Sequence, residues 1–350
     1  MAVHRAALHG MLLLAVAVAA SGAAAAKVPA MYVFGDSTAD VGNNNYLPWS
    51  IARADFPHNG VDFPGGRPTG RFSNGLIGAD FLAIAMGFSG SPPPYLSLMA
   101  ATAANSSSEG STISMTQQIG YFSDLKHQMS TRLSAGRVAE SLSKSIFLIS
   151  AGSNDAFDFF SENRSPGSTA IQQFSEAMIS TYDSHVKALY HLGARKFAVI
   201  NVPLIGCCPY LRSQNPTGEC VERLNQIAKS LNDRIKDLFN NLSSEMQGMK
   251  YSIGSAYQLV SSLIQSPHAA GKLQQLSRSI LDTKPCTPVI SRLFLWVGGS
   301  EECMLRWWQQ YLFWDLFHPT QATSKFAGLA FYDGPAQFVS PISIKQLVEA

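Results

Sequence analysis

Short apolar runs alternate along this chain with longer stretches in which apolar residues recur every three or four positions. Residues 31–34, 146–150, 196–201 and 251–253 are runs of the first kind, each bounded by Gly, Asn or Ser, and they read as buried strands. The clearest stretch of the second kind carries Val221, Leu224, Ile227, Ala228, Leu231, Ile235, Leu238, Phe239, Leu242 and Met246 on one stripe, with charges opposite. Another runs through Ile171, Phe174, Met178, Tyr182, Val186 and Leu189. Both have helical spacing and serve core packing rather than ligand contact. Strands alternating with helices predict a parallel sheet covered on both faces. No repeat or linker divides the chain, and the Ser-rich stretch 101–111 reads as a surface loop.

Composition narrows the class. Of 350 residues, 46% are hydrophobic and 14% charged, which supports a packed core rather than disorder. A net charge of +2 with no long basic run argues against a nucleic-acid partner. The start of the chain has a weakly positive tip (His4, Arg5), an apolar run over 11–20 and small residues at Ala24-Ala25-Ala26. That pattern predicts a signal peptide over 1–26, too short to span a bilayer, followed by one exported domain over 27–350 with no membrane anchor.

The five cysteines suit an oxidising compartment. Either Cys207 or Cys208 could close a short loop with Cys220, and Cys286 could pair with Cys303. Acceptor triplets for N-glycans begin at Asn105, Asn163 and Asn241, the second weakened by Pro166. Metal-ligand spacing and a Walker-type glycine loop are both missing, so neither a metal nor a phosphate-handling cofactor is expected.

In a parallel sheet the loops at the carboxyl ends of the strands carry function. Here those ends hold Gly35-Asp36-Ser37, Gly152-Ser153-Asn154-Asp155 and, near the C-terminus, Asp315 to His318. A serine hydroxyl needs a base to take its proton, and the base needs an acid to orient it. Ser37 follows a strand through a glycine turn. Asp315 and His318 are three residues apart, so one turn of chain can set the carboxylate against Nδ1 and leave Nε2 facing Ser37. Pro319 would then open a helix just beyond the histidine. Asn154 offers a side-chain amide to an oxyanion. Taken singly, Asp-x-x-His is also a helix cap beside a surface histidine, and Gly-Ser-Asn-Asp is also an ordinary turn.

Five segments stand in a definite order: FGDSTADVGNNN (34–45), ADFPHNGVDFPGGRPTGRFSNG (54–75), GSND (152–155), NVPLIGCCP (201–209) and FWDLFHPT (313–320). In these the chain resembles the plant GDSL esterases/lipases, a branch of the SGNH hydrolases, from about Val28 to the C-terminus. The resemblance implies a flavodoxin-like three-layer α/β/α sandwich with a parallel sheet. It also implies a Ser37 nucleophile, an Asp315–His318 acid–base pair, an Asn154 oxyanion donor and a small-molecule or lipid ester substrate without cofactor. Thr38 stands where the family name has Leu. Asp40, Gly42 and the following asparagines should brace the serine loop, and Arg71 and Asn74 should be structural.

Two departures from the family pattern bear on function. The family carries an Asn-x-Ala-x-x-Gly segment that forms the second strand and lends a glycine N–H to the oxyanion hole, but 95–111 reads YLSLMAATAANSSSEGS. The second strand is therefore expected to be missing, and one oxyanion donor with it; Gly75 sits in the family's Arg-Phe-Ser-Asn-Gly motif. Residues 289–309, dense in Trp and Leu, replace a cysteine-containing loop and read as packing or an altered gene model in preference to a lipid-facing lid. The leading expectation is a secreted serine esterase or lipase. The competing one is a catalytically impaired relative retained as an extracellular binding or structural glycoprotein.

Overall fold

The computed structural model describes residues 26–98, 112–265 and 311–350. Strands β1 (Met31–Gly35), β2 (Ile146–Ser150), β3 (Lys196–Ile200) and β4 (Lys250–Gly254) lie side by side and parallel in that order. A short β5 (Val339–Ser340) pairs antiparallel with β4. Among the described residues, β1 has a partner only on its β2 side.

Side chains alternate between two cores. Phe147 and Ile149 of β2 enter one, whereas Ile146 and Leu148 enter the other. Both faces are therefore buried, which is why the strands read as continuous apolar runs. The first core is covered by α3 (Met115–Ser130), α6 (Ser168–Leu192) and α8 (Glu222–Glu245). The second is covered by α1 (Gly78–Ala85), α9 (Ala256–Gln265), α10 (Gln321–Asp333) and α11 (Ile344–Glu349). The remaining helices are α2 (Tyr95–Leu98), α4 (Ala135–Lys144), α5 (Ser153–Glu162) and α7 (Pro209–Gln214). The result is the three-layer α/β/α sandwich.

The long stripe of α8 is buried at Leu224, Ile227, Ala228, Leu231, Ile235, Phe239 and Leu242, as its period predicts. Each such Leu, Ile or Phe side chain, fully removed from water, contributes about 1.5–3 kcal/mol before entropy is charged. In α6, Ile171, Tyr182, Val186 and Leu189 are buried, while Phe174 and Met178 pack at its margin.

Register does the positioning. Gly35 aligns with Ser150, Ser150 with Ile200 and Ile200 with Gly254, so the strands end level and their following loops share one edge of the sheet. Gly35 has φ +155°, and a Cβ there would lie 2.0 Å from the Ser150 carbonyl oxygen. Only glycine lets β1 turn this close to β2.

Several expectations need correction or fall elsewhere. Pro319 does not open the helix; it pairs with Phe313 in an isolated bridge, and α10 starts two residues later behind Thr320, whose hydroxyl accepts from Thr323 N at 3.2 Å. β5 was not expected, because two residues carry no periodicity. Of the 95–111 span in which the second strand is expected to be missing, 95–98 are helical; residues 99–111 with Asn105, the segment before Ala26, the Cys286–Cys303 pairing and the 289–309 segment lie outside the described residues. Of the two Cys220 partners left open, the structure takes Cys207, and Cys208 is free and buried. No helix among the described residues is long and apolar enough to cross a membrane.

Candidate active site

The loop after β1 is held by its own acids. Asp36 accepts from the Thr38 N–H at 3.0 Å and from the Thr38 hydroxyl at 2.7 Å. Burial pushes the Asp36 carboxyl up, against the Thr38 hydrogen bonds and the nearby His318, which pull it down. Asp40 accepts from the backbone of Gly42, Asn43 and Asn44, so it braces the loop as expected. Between these two carboxylates the chain presents Ser37, half-buried at the sheet edge.

The C-terminal segment folds into a tight turn of its own. Trp314 N donates to the His318 carbonyl at 2.7 Å, closing the loop. Inside it, Asp315 Oδ1 accepts from Phe317 N and His318 N, both at 2.7 Å. This leaves Oδ2 aimed at the ring, 2.7 Å from His318 Nδ1. The Trp314 indole donates to Asn59 Oδ1 at 2.9 Å and ties this loop to the 54–75 segment. Phe72 lies against the imidazole with ring centres 4.7 Å apart.

Across 281 residues of chain, Ser37 Oγ and His318 Nε2 meet at 2.7 Å. The two side chains of the Asp–His pair are 29% and 12% exposed, so the contact is shielded from solvent. Burial alone would lower the His318 pKa, but the Asp315 charge and hydrogen bond, helped by Asp36, outweigh it and leave it raised. For Asp315 burial works upward, and the histidine with two backbone N–H groups wins, holding the carboxyl below its usual range.

Asn154 sits in the first turn of α5, which follows the aligned end of β2 through Gly152 at φ +113°. Its side chain is exposed, and it lines the same cavity as Ser37 and His318. Gly75 is engaged otherwise, since its N–H faces the Ser73 hydroxyl at 3.3 Å. Arg71 and Asn74 are structural. Arg71 forms a buried two-pronged pair with Asp80 at 2.9 Å on each prong, and Asn74 bridges Asp62 and Gln321 N.

Sequence reading missed Gln118. Its Oε1 accepts from Gly35 N at 2.9 Å and its Nε2 donates to Gly35 O at 2.8 Å, so a side-chain amide stands where a neighbouring strand's backbone would be. The residue lies in the first turn of a modestly amphipathic helix, with no motif to mark it. Phe72 was visible only as part of Arg-Phe-Ser-Asn-Gly, with nothing local to aim it at a histidine.

A level-ended parallel sheet with serine, histidine and carboxylate in a hydrogen-bonded row has the geometry of the serine-hydrolase class. The chain belongs to the GDSL-like lipase/acylhydrolase family, whose model matches residues 31–331. It is 34% identical over 353 residues to GDSL esterase/lipase At5g55050 of Arabidopsis thaliana, covering 92% of this chain and 90% of that one. Against GDSL esterase/lipase At5g37690 of the same plant it is 33% identical over 316 residues, covering 84% and 85%. By this membership the protein is a hydrolase acting on ester bonds, with small-molecule esters as its substrates.

Proposed function

We propose that the protein is an exported serine esterase working through an acyl-enzyme. Ser37 Oγ attacks the acyl carbonyl carbon while His318 Nε2 takes its proton. The tetrahedral oxyanion is met by the Asn154 amide and the Ser37 N–H. Collapse expels the alcohol, which leaves with the proton from His318. Water then adds to the acyl-enzyme with the same base, and Ser37 is released with the free acid. Asp315 keeps the histidine in the tautomer whose Nε2 is a bare acceptor and stabilises the imidazolium that forms.

The observation that carries this reading is the pair of 2.7 Å contacts, Ser37 to His318 and His318 to Asp315. Export is supported by the N-terminal sequence pattern and by the Cys207–Cys220 disulfide. The test uses purified protein, a fluorophosphonate probe and p-nitrophenyl acetate. Labelling and turnover that vanish in Ser37→Ala support the esterase. Folded wild type that neither labels nor turns over would instead match a catalytically impaired relative.

A further inference from the structure

The backbone N–H groups around Ser37 are nearly all engaged. Gly35 N donates to Gln118 Oε1 at 2.9 Å, and Asp36 N donates to Ser150 O at 3.0 Å. On the far side, Thr38 N donates to Asp36 Oδ1 at 3.0 Å and Ala39 N to Asp36 O at 3.0 Å. In this run only the Ser37 N–H has no hydrogen-bond partner among the described residues. That is the donor the proposed reaction needs at the oxyanion.

Gln118 acts on this turn at its softest joint. Gly35 has no Cβ, so its φ and ψ are restrained less than those of any other residue type. Its N–H lies in the peptide plane shared with Phe34, and its C=O lies in the plane shared with Asp36. Gln118 holds both planes, accepting from Gly35 N through Oε1 and donating to Gly35 O through Nε2 at 2.8 Å. Fixing two planes to one rigid amide fixes the rotations about the Cα that joins them. The other Nε2 hydrogen goes to Ile113 O at 3.1 Å, so the amide is itself anchored and has no donor left over.

These bonds are not what docks the helix. Ile119 and Phe122 bury α3 in the first core, and Phe122 sits edge-on to Tyr32, Phe34 and Phe147. Ser114 caps the helix start by accepting from Gln117 N at 3.2 Å. The amide therefore serves Gly35 rather than the packing of α3.

We propose that Gln118 is a positioning residue for the nucleophile: by locking Gly35 it aims the Ser37 N–H at the oxyanion and keeps Ser37 Oγ on His318 Nε2. The inference rests on the esterase reading of Ser37. A rotation released at Gly35 is felt two residues on, at the reacting atoms, where a misplacement of about 1 Å can cost about 10²-fold in rate. Because the oxyanion exists only in the transition state, the loss falls on kcat rather than on KM.

The experiment compares wild type with Gln118→Met, which keeps a long unbranched side chain and removes the donors and the acceptor. Turnover of p-nitrophenyl acetate is measured together with inhibition by phenylboronic acid. In that adduct Ser37 Oγ bonds to boron, its proton passes to His318, and the tetrahedral boronate sets an oxygen where the oxyanion would form. The variant should lose about 10–100-fold in kcat with KM changed less than about threefold. Its inhibition constant for the boronic acid should rise by about the factor by which kcat/KM falls. Circular dichroism checks the fold. If Gln118→Met does not fold, Gln118→Glu takes its place, since it keeps an acceptor for Gly35 N and loses both donors. A folded variant within about twofold of wild-type kcat would overturn the proposal, as would a kcat loss that leaves boronic acid inhibition unchanged. Failure of both variants to fold would also overturn it, by giving the amide a purely structural role. A folded wild type that neither turns over ester nor binds the boronic acid would sink the esterase reading itself, and this role with it.

Discussion

Replacing Asp315 by Asn separates orientation from shape. The asparagine carbonyl can take over the role of Oδ1 and accept from the N–H groups of Phe317 and His318, so the loop should persist. What changes is the atom facing the ring. An amide NH₂ now meets Nδ1, which must become an acceptor, and the proton moves to Nε2, where it points at Ser37 Oγ. The base is then already protonated. A wrong-tautomer histidine of this kind typically costs about 10⁴-fold in kcat. At 1.36 kcal/mol per tenfold, that corresponds to about 5.4 kcal/mol of lost transition-state stabilisation.

The same change alters the pH dependence. In the wild type the raised His318 pKa should set the acid limb of kcat/KM above the ordinary histidine value of about 6.5, because on the proposed mechanism the base must be neutral. Stability has the opposite sign: the gain from protonated His318 is complete below its unfolded pKa and fades as pH rises through the raised folded value. Removing the Asp315 charge and hydrogen bond leaves burial as the dominant influence, so the variant's His318 should titrate below its wild-type value. The assays are steady-state kinetics across pH, NMR titration of the His318 ring and a thermal melt. A variant retaining a tenth or more of wild-type kcat, or a His318 pKa that does not fall, would refute the reasoning.

Two further outcomes follow from neighbouring parts of the structure. Asn154→Ala should lower kcat by about 10²–10³ with KM little changed, because the amide acts on charge that exists only in the transition state; a comparable rise in KM alone would assign Asn154 to substrate binding. Arg71→Met should destabilise by about 3–5 kcal/mol, since it strands Asp80 in the interior. Chemical denaturation measures this, and Arg71→Met with Asp80→Leu together should recover only part of the loss, because Asp80 also accepts from Ile77 N at 2.8 Å and Arg71 donates to the Val41 carbonyl at 3.1 Å.

How far the chain could be read in advance depended on whether the cause was local. The continuous apolar run of β2 and the stripe of α8 are written in consecutive residues, so the four parallel strands and α8 were legible to within a residue at their ends. Asp40 bracing its own loop was legible for the same reason. β5 was not, because two residues hold no period and its pairing is decided by β4. Pro319 misled because a rule about helix starts competes with a bridge to Phe313 that forms only when the loop closes.

By itself, the sequence determined the class: a sandwich of parallel strands whose serine, aspartate, histidine and asparagine all fall in loops at strand ends. Backbone hydrogen bonding and apolar periodicity act over a few residues, and they suffice for that much. Tertiary structure alone decided that Ser37 and His318 touch, that Cys207 rather than Cys208 takes Cys220, and that Gln118 clamps the turn before Ser37. Each of these joins segments far apart in the chain, and no local preference carries the distance between them.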